Sequence, residues 1–293
     1  MSTPPFLELP PGVEKTVVAT SRGDLAALVA TPDSGRRRGT AVLVPGWTGS
    51  KEDFIGVLPL LADAGWRAVG YDQRGQFESV ADPADDFSLE GFAADAATLM
   101  RAVSDGDPVH LVGHSFGGMV AQRTALVAGG GLPASLTLLC SGPAGFEDPT
   151  ACALLRAMDD ALRTTDIEAV YDAKRQHDLA NGADDAPPEI ERFLRRRFVS
   201  NSPHSLAAIT SHLVTAEDRI DELAALNLPV HVAYGESDDR WPIDTQRRMA
   251  ERLGVRPIEI PGTAHSPAAE DPPRVAVLMD ELFATSGAGA PAG

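Results

Sequence analysis

The chain contains a serine in a setting that suits nucleophilic catalysis. The pattern Gly113-His114-Ser115-Phe116-Gly117 directly follows a short apolar run and precedes a helical pattern. A Gly-x-Ser-x-Gly turn between strand and helix strains the serine backbone, so the residues two before and two after it must be nearly free of side chain. Gly113 and Gly117 meet this demand, and the Phe116 amide at the helix N-terminus would face a developing oxyanion.

An acid and a histidine follow at later positions. A serine at neutral pH needs a base, and the base needs an orienting carboxylate. Asp238 follows the apolar run Val230–Tyr234, and His265 follows the run Pro257–Ile260. Both would lie at the carboxyl ends of predicted strands, where open α/β sheets place ligands. The sequence therefore predicts a triad with Ser115 as nucleophile, His265 as base and Asp238 as acid.

The elements that must position these residues alternate between strand and helix. A hairpin over 16–20 and 25–31 precedes the alternating runs, which predict a mostly parallel sheet with helices on both faces. The alternation stops between residues 146 and 225, where helical patterns follow one another. We therefore predict an α/β core from 1–145 and 226–285, a helical insertion over 146–225 and a disordered tail over 286–293.

In its order of nucleophile, acid and histidine after successive strands, the chain resembles the serine-nucleophile branch of the α/β-hydrolase superfamily. The resemblance covers nearly the whole chain. Its further motifs are Gly235-x-x-Asp238-x-x-x-Pro242, His265 followed by Glu270 and Pro272, and Asp72-Gln73-Arg74-Gly75 after the second parallel strand.

The resemblance implies an α/β-hydrolase fold in which the insertion is a cap over the site. It also implies that the backbone amide of Trp47 is the second oxyanion donor. Relatives usually begin the Trp47 loop with His-Gly, whereas this chain has Pro45-Gly46, a departure that concerns the packing of the loop more than catalysis. Some relatives take their acid from the loop after the preceding strand, so Glu147 and Asp148 are alternatives to Asp238.

Several activities are compatible with such a triad. We expect a serine hydrolase that cleaves a carboxylic ester or lactone of a small, partly apolar molecule through an acyl-enzyme. An aminopeptidase of the proline iminopeptidase type is an alternative, although those relatives carry His-Gly-Gly-Pro-Gly in the loop that here reads Pro45-Gly46-Trp47-Thr48-Gly49. Haloperoxidase-like relatives share the triad, and a catalytically slow ligand-binding receptor on the same fold is a further alternative.

The amino-acid composition limits which classes of partner and cofactor are expected. The net charge is −17, so the protein lacks the basic face that binding to nucleic acid needs. We therefore expect a small-molecule substrate as partner, and neither nucleic acid nor a membrane. The sequence leaves open whether the chain forms a homodimer. Two cysteines cannot form a disulfide framework, and no signal peptide is visible, so we expect a cytoplasmic protein. The scattered histidines predict no metal site, and we expect no cofactor.

Overall fold

The structure is a computed structural model that describes residues 2–33, 37–128, 132–182 and 186–287. An eight-stranded sheet has the order β1-β2-β4-β3-β5-β6-β7-β8. The strands are β1 Val13–Thr20, β2 Gly23–Ala30, β3 Gly39–Val44, β4 Trp66–Tyr71, β5 Val109–His114, β6 Ser135–Leu139, β7 Val230–Gly235 and β8 Ile258–Ile260. The predicted edge hairpin is confirmed as β1 and β2, and the six strands β3 to β8 run parallel to one another.

Helices cover both faces of this sheet, as predicted. Their bounds are α1 Leu58–Asp63, α2 Leu89–Val103, α3 Phe116–Ala128, α4 Pro149–Thr164, α5 Ile167–Ala180, α6 Pro188–Val199, α7 Pro203–Thr215, α8 Ile220–Ala224, α9 Ile243–Arg252, α10 Pro267–Glu270 and α11 Pro272–Gly287. One apolar cluster contains α2 and α3 on one face, and a second contains α1 and α11 on the other. Because both faces are covered, strands such as β3 and β5 are buried along their whole length.

One predicted helix is wrong in its extent. The apolar pattern over Glu52–Ala64 predicts a continuous helix, whereas the structure has a 3₁₀ turn over Lys51–Phe54 and a separate short α1. Gly56 lies in the break, where a side chain would collide with the ring of Pro272, 2.7 Å from an added Cβ. The glycine at this break is therefore required by close packing against Pro272.

The predicted insertion is helical from α4 to α8. We call α4 to α7 the cap. Helix α8 lies inside the predicted boundary at 225 but packs against α3 and α9, and its Ile220 and Leu223 belong to the core cluster. At the other end of the chain, α11 continues to Gly287 and so includes the first two residues of the predicted tail, and residues 288–293 lie outside the described residues.

Among the described residues, none of the helices has the length and apolar character that crossing a membrane requires. The four loops that carry the predicted site residues follow β3, β5, β7 and β8. Parallel strands bring these loops to one edge of the sheet, which is why residues far apart in sequence meet there.

Candidate active site

The turn after β5 has the conformation that the Gly-x-Ser-x-Gly pattern predicts. Ser115 has a φ of 55°, which is uncommon outside glycine. An added Cβ at Gly113 would lie 2.3 Å from the Gly117 carbonyl oxygen, and one at Gly117 would lie 2.3 Å from the carbonyl oxygen of Val44. The Ser141 hydroxyl donates to the Ser115 carbonyl at 2.8 Å. Both glycines are therefore required by close backbone contacts.

The structure brings Ser115, His265 and Asp238 into one hydrogen-bonded row. His265 Nδ1 lies 2.8 Å from Asp238 Oδ1, and His265 Nε2 lies 3.0 Å from Ser115 Oγ. A carboxylate can only accept, so Nδ1 carries the proton and Nε2 is free to accept from the serine hydroxyl. Ser115 is buried, with 9% of the residue exposed.

Asp238 is held in its ionised form by several donors. Oδ1 also accepts from the backbone amides of Arg240 and Trp241, and Oδ2 accepts from Gln246 Nε2 at 2.8 Å. Burial acts to raise the pKa of Asp238, but the hydrogen bonds from His265, the Arg240 amide and Gln246 outweigh it and lower the pKa below its usual value. The carboxylate therefore stays charged at neutral pH and can stabilise an imidazolium.

The His265 loop is fixed from two sides. The Glu270 carboxylate accepts from the amides of Ala264 at 2.5 Å and Ser266 at 2.8 Å, on either side of the histidine. His114 Nε2 donates to the His265 carbonyl at 2.6 Å. Burial, with a contribution from the nearby His265, lowers the pKa of His114 to about 3, so His114 is neutral and acts here as a hydrogen-bond donor.

The alternative acids lie elsewhere. Asp148 caps α4 by accepting from the Ala151 amide at 2.7 Å, and Glu147 beside it is exposed. Asp239 is exposed and pairs with Arg240. Among Glu147, Asp148, Asp238 and Asp239, Asp238 is the one that contacts His265.

The loop after β3 lies against the nucleophile. An added Cβ at Gly46 would be 3.0 Å from Ser115 Cβ, so this backbone directly adjoins the serine. The described part of the chain offers no acceptor to the Trp47 amide. Phe116 is the first residue of α3, where amides have no partner within the helix. The Trp47 indole donates to Thr210 Oγ1 at 2.9 Å, and Trp47 packs against both the core cluster and an apolar cluster of the cap.

Within the described ranges, one cluster of three potential metal ligands is found, formed by Cys140, Asp238 and His265, whose ligand atoms lie within 4.8 Å of one another. The same cluster contains the Asp238–His265 hydrogen bond. It therefore overlaps the triad and does not form a separate centre. The prediction of no metal stays a prediction.

Several supporting residues escape sequence reasoning. Gln246 lies on α9, eight residues after Asp238, and nothing in the sequence distinguishes it from its polar neighbours. Gln73 and Gln76 each donate to the backbone just before Trp47. The motif Asp72-Gln73-Arg74-Gly75 marks their loop, but its contacts depend on how two loops meet in space.

Comparison with known proteins gives a consistent result. Residues 41–278 match the sequence model described as the Alpha/beta hydrolase family. The chain is 31% identical over 255 residues to a pimeloyl-[acyl-carrier protein] methyl ester esterase of Methylococcus capsulatus, covering 84% of this chain and 94% of that protein. It is 28% identical over 235 residues to a non-heme haloperoxidase of Rhodococcus erythropolis, covering 75% and 83%. The structure of an esterase from Thermogutta terrifontis superimposes with a TM-score of 0.72 at 23% identity, covering 93% of this chain and 99% of that one.

Proposed function

We propose that this chain, which belongs to the alpha/beta hydrolase family, is a serine hydrolase acting on a carboxylic ester or lactone. The observation that carries the proposal is the row in which His265 lies 3.0 Å from Ser115 Oγ and 2.8 Å from Asp238 Oδ1. Nucleophile, base and orienting acid are all within hydrogen-bond distance, which is the arrangement that acyl transfer through a serine needs.

The first half-reaction forms an acyl-enzyme. Ser115 Oγ attacks the carbonyl carbon of the ester while His265 Nε2 takes the hydroxyl proton. The carbonyl oxygen becomes an oxyanion, which accepts from the amides of Phe116 and Trp47. As the tetrahedral intermediate collapses, the bond to the leaving alcohol breaks and the imidazolium returns its proton to the alcohol oxygen. Ionised Asp238 stabilises the imidazolium throughout.

The second half-reaction releases the acid. Water attacks the acyl carbon and gives its proton to His265 Nε2. The Ser115 ester bond then breaks, and the serine oxygen takes that proton back. For a lactone, the leaving oxygen stays attached to the acyl chain, so the product is a single hydroxy acid. The triad returns to its starting state in both cases.

The cap supports a small, partly apolar acyl group. An apolar cluster of the cap packs against Trp47, which adjoins the nucleophile loop, and its buried members include Leu162, Tyr171, Phe198 and Leu206. Two cations adjoin this cluster: Lys174 Nζ lies 5.8 Å from the Trp47 ring and pairs with Asp178, and Arg195 Cζ lies 5.8 Å from the Tyr171 ring. The relative from Methylococcus is named as an ester hydrolase, which favours an ester over an amide.

Covalent labelling tests the proposal directly. A fluorophosphonate should label the folded protein at Ser115, and Ser115→Ala should abolish the labelling. A matched control is Ser135→Ala, because Ser135 is also buried and its hydroxyl lies 2.7 Å from His110 Nδ1, but it belongs to a strand and not to an elbow. Labelling should persist in that variant. Absence of labelling in folded wild type would refute the nucleophile.

Turnover distinguishes the hydrolase from a slow receptor. Steady-state release of p-nitrophenol from p-nitrophenyl acetate and butyrate is expected from the wild type. A single burst without turnover would instead show that the acyl-enzyme forms but is not hydrolysed, and would favour the receptor.

A further inference from the structure

Gln76 binds the peptide that carries a proposed oxyanion donor. It lies in the loop after β4 and is fully buried. Its Nε2 donates to the Gly46 carbonyl at 3.1 Å. The carbonyl of Gly46 and the amide of Trp47 belong to the same peptide group, which is planar and trans, so the two point in opposite directions. Whatever fixes the carbonyl therefore also fixes where the Trp47 amide points.

A second glutamine determines which end of the Gln76 amide faces Gly46. Gln73 Nε2 lies 3.3 Å from Gln76 Oε1 and 3.0 Å from the Pro45 carbonyl oxygen. The oxygen end of Gln76 therefore accepts from Gln73, and its nitrogen end is left to donate. Two consecutive carbonyls, at Pro45 and Gly46, are held in this way.

The Gly46 carbonyl has one other partner, which is part of the same turn. The Gly49 amide donates to it at 3.1 Å. Within this turn Thr48 has a φ of 57°, an uncommon conformation for a β-branched residue. A strained turn relaxes unless its surroundings hold it. The bond from Gln76 is the contact that reaches this peptide from outside the turn.

The loop that carries Gln76 is itself attached to the cap. Ser205 Oγ donates to the Arg74 carbonyl at 2.7 Å, and the Ser202 amide donates to the Gly75 carbonyl at 2.8 Å. An added Cβ at Gly75 would lie 2.5 Å from Ser205 Cβ, so the contact is close. The position of the cap is thereby linked to the position of the Gln76 amide.

We infer that Gln76 is a positioning residue for the oxyanion hole, which holds the Gly46–Trp47 peptide so that the Trp47 amide faces the carbonyl oxygen of the substrate. The inference rests on the proposed function. Gln76 does not touch the substrate and acts through the backbone of the neighbouring loop. Losing it should weaken stabilisation of the oxyanion without altering the proton transfers between Ser115 and His265.

Replacing the carbonyl oxygen of the substrate by sulfur separates a loss of oxyanion stabilisation from a loss of proton transfer. A thiono ester has the same acyl and leaving groups as its oxygen ester, but its sulfur is a poor hydrogen-bond acceptor and gains little from the amides. In Gln76→Met, which keeps the shape and removes the donor, kcat for the oxygen ester should fall about 10- to 100-fold while thiono-ester turnover changes less than about threefold. KM for the oxygen ester should stay nearly constant, because the lost interaction forms mainly in the transition state.

Gln122→Met is the matched control. Gln122 is a buried glutamine whose Nε2 donates to the Gly142 carbonyl at 2.9 Å, away from the Trp47 loop. This variant loses the same kind of bond but should keep the wild-type ratio of oxygen-ester to thiono-ester rates. Gln76→Asn, which retains the amide and withdraws it from Gly46, provides a milder variant if Gln76→Met does not fold, and its ratio should also fall.

The outcomes are distinct. An unchanged oxygen-to-sulfur ratio in folded Gln76→Met or Gln76→Asn, whatever the loss of rate, would overturn the inference. A wild type that neither hydrolyses the oxygen ester nor reacts with a fluorophosphonate would instead overturn the proposed function.

Discussion

The two halves of the site are held together by different kinds of contact. In the acid–base half, the loops after β7 and β8 carry Asp238 and His265, and each loop is held largely by its own residues. Gln246 reaches Asp238 from eight residues away, and Glu270 reaches the amides beside His265 from four and six residues away. These are mainly local contacts within a short C-terminal stretch of sequence.

The oxyanion half depends on remote parts of the chain. Trp47 bonds to Thr210, 163 residues away, and Asp53 pairs with Arg197, 144 residues away. Both partners belong to the cap. The acid–base half can therefore be complete in the core alone, whereas the geometry of the oxyanion loop requires the cap to be in place.

The largest expected effect tests whether the acid–base half is complete as described. Asp238→Asn should lower kcat about 10⁴-fold, because the neutral amide favours the wrong imidazole tautomer and cannot stabilise the imidazolium. Steady-state ester hydrolysis by purified, folded variant measures it. Asp148→Asn and Glu147→Gln serve as controls and should change kcat by less than about twofold, as expected for exposed side chains. A large loss in either control would place the acid in the loop after β6.

The same difference explains what the sequence could predict. The order of strands, the elbow and the positions of Asp238 and His265 follow from local patterns, since each residue is placed by the end of its own strand. Ser115 has the predicted positive φ, and the fold class is confirmed. Gln246 was missed because one polar residue on an amphipathic helix resembles another. Gln76 was missed because its role depends on a contact with a loop 30 residues away.

The ends of individual helices are harder to predict where tertiary contacts determine them. The break between the 3₁₀ turn and α1 lies at Gly56, which packs closely against Pro272, a contact that no local pattern shows. Helix α8 falls inside the predicted insertion but packs on the core, because its apolar residues meet α3 and α9. Helical periodicity shows which face of a helix is apolar, but it does not show whether the core or the cap covers that face.

The second prediction concerns the attachment of the oxyanion half to the cap. Arg197 is fully buried on α6, and its Nη1 lies 2.7 Å from Asp53 Oδ1. Arg197→Met should reduce the free energy of unfolding by about 3–5 kcal/mol, because it leaves the Asp53 carboxylate buried without its partner. Urea unfolding at pH 7 measures this loss. In the acid–base half, Gln246→Leu removes a single donor to a charged group and should cost about 1.5–3 kcal/mol.

A double variant separates the loss of the ion pair from the loss of packing. In Arg197→Met combined with Asp53→Asn, no charge is left unpaired, so much of the lost stability should return. The single variant should also recover part of its stability on acidification, since burial already raises the pKa of Asp53 and a protonated carboxyl tolerates burial better. If the double variant is as unstable as the single one, packing of Arg197 and not charge anchors the cap.

The smallest expected effect concerns a remote contact of the acid–base half, from His114 to the His265 carbonyl. The pKa of His114 is about 3 in the folded protein, so between that value and the ordinary value of about 6.5 the unfolded chain binds a proton that the native chain does not. Stability then falls as the pH is lowered, by about 2 kcal/mol between pH 7 and pH 5 for this residue. His114→Gln, which can still donate, should lose about 2 kcal/mol less stability than wild type between pH 7 and pH 5 when unfolding is measured at both pH values.

His110→Gln is the matched control. Burial lowers the pKa of His110 to about 4, and His110 lies on the same strand but away from the triad, so this variant should flatten the pH dependence by a similar amount. A wild-type pH dependence in His114→Gln would mean that His114 does not cause this loss of stability, and would contradict its neutral state in the folded protein.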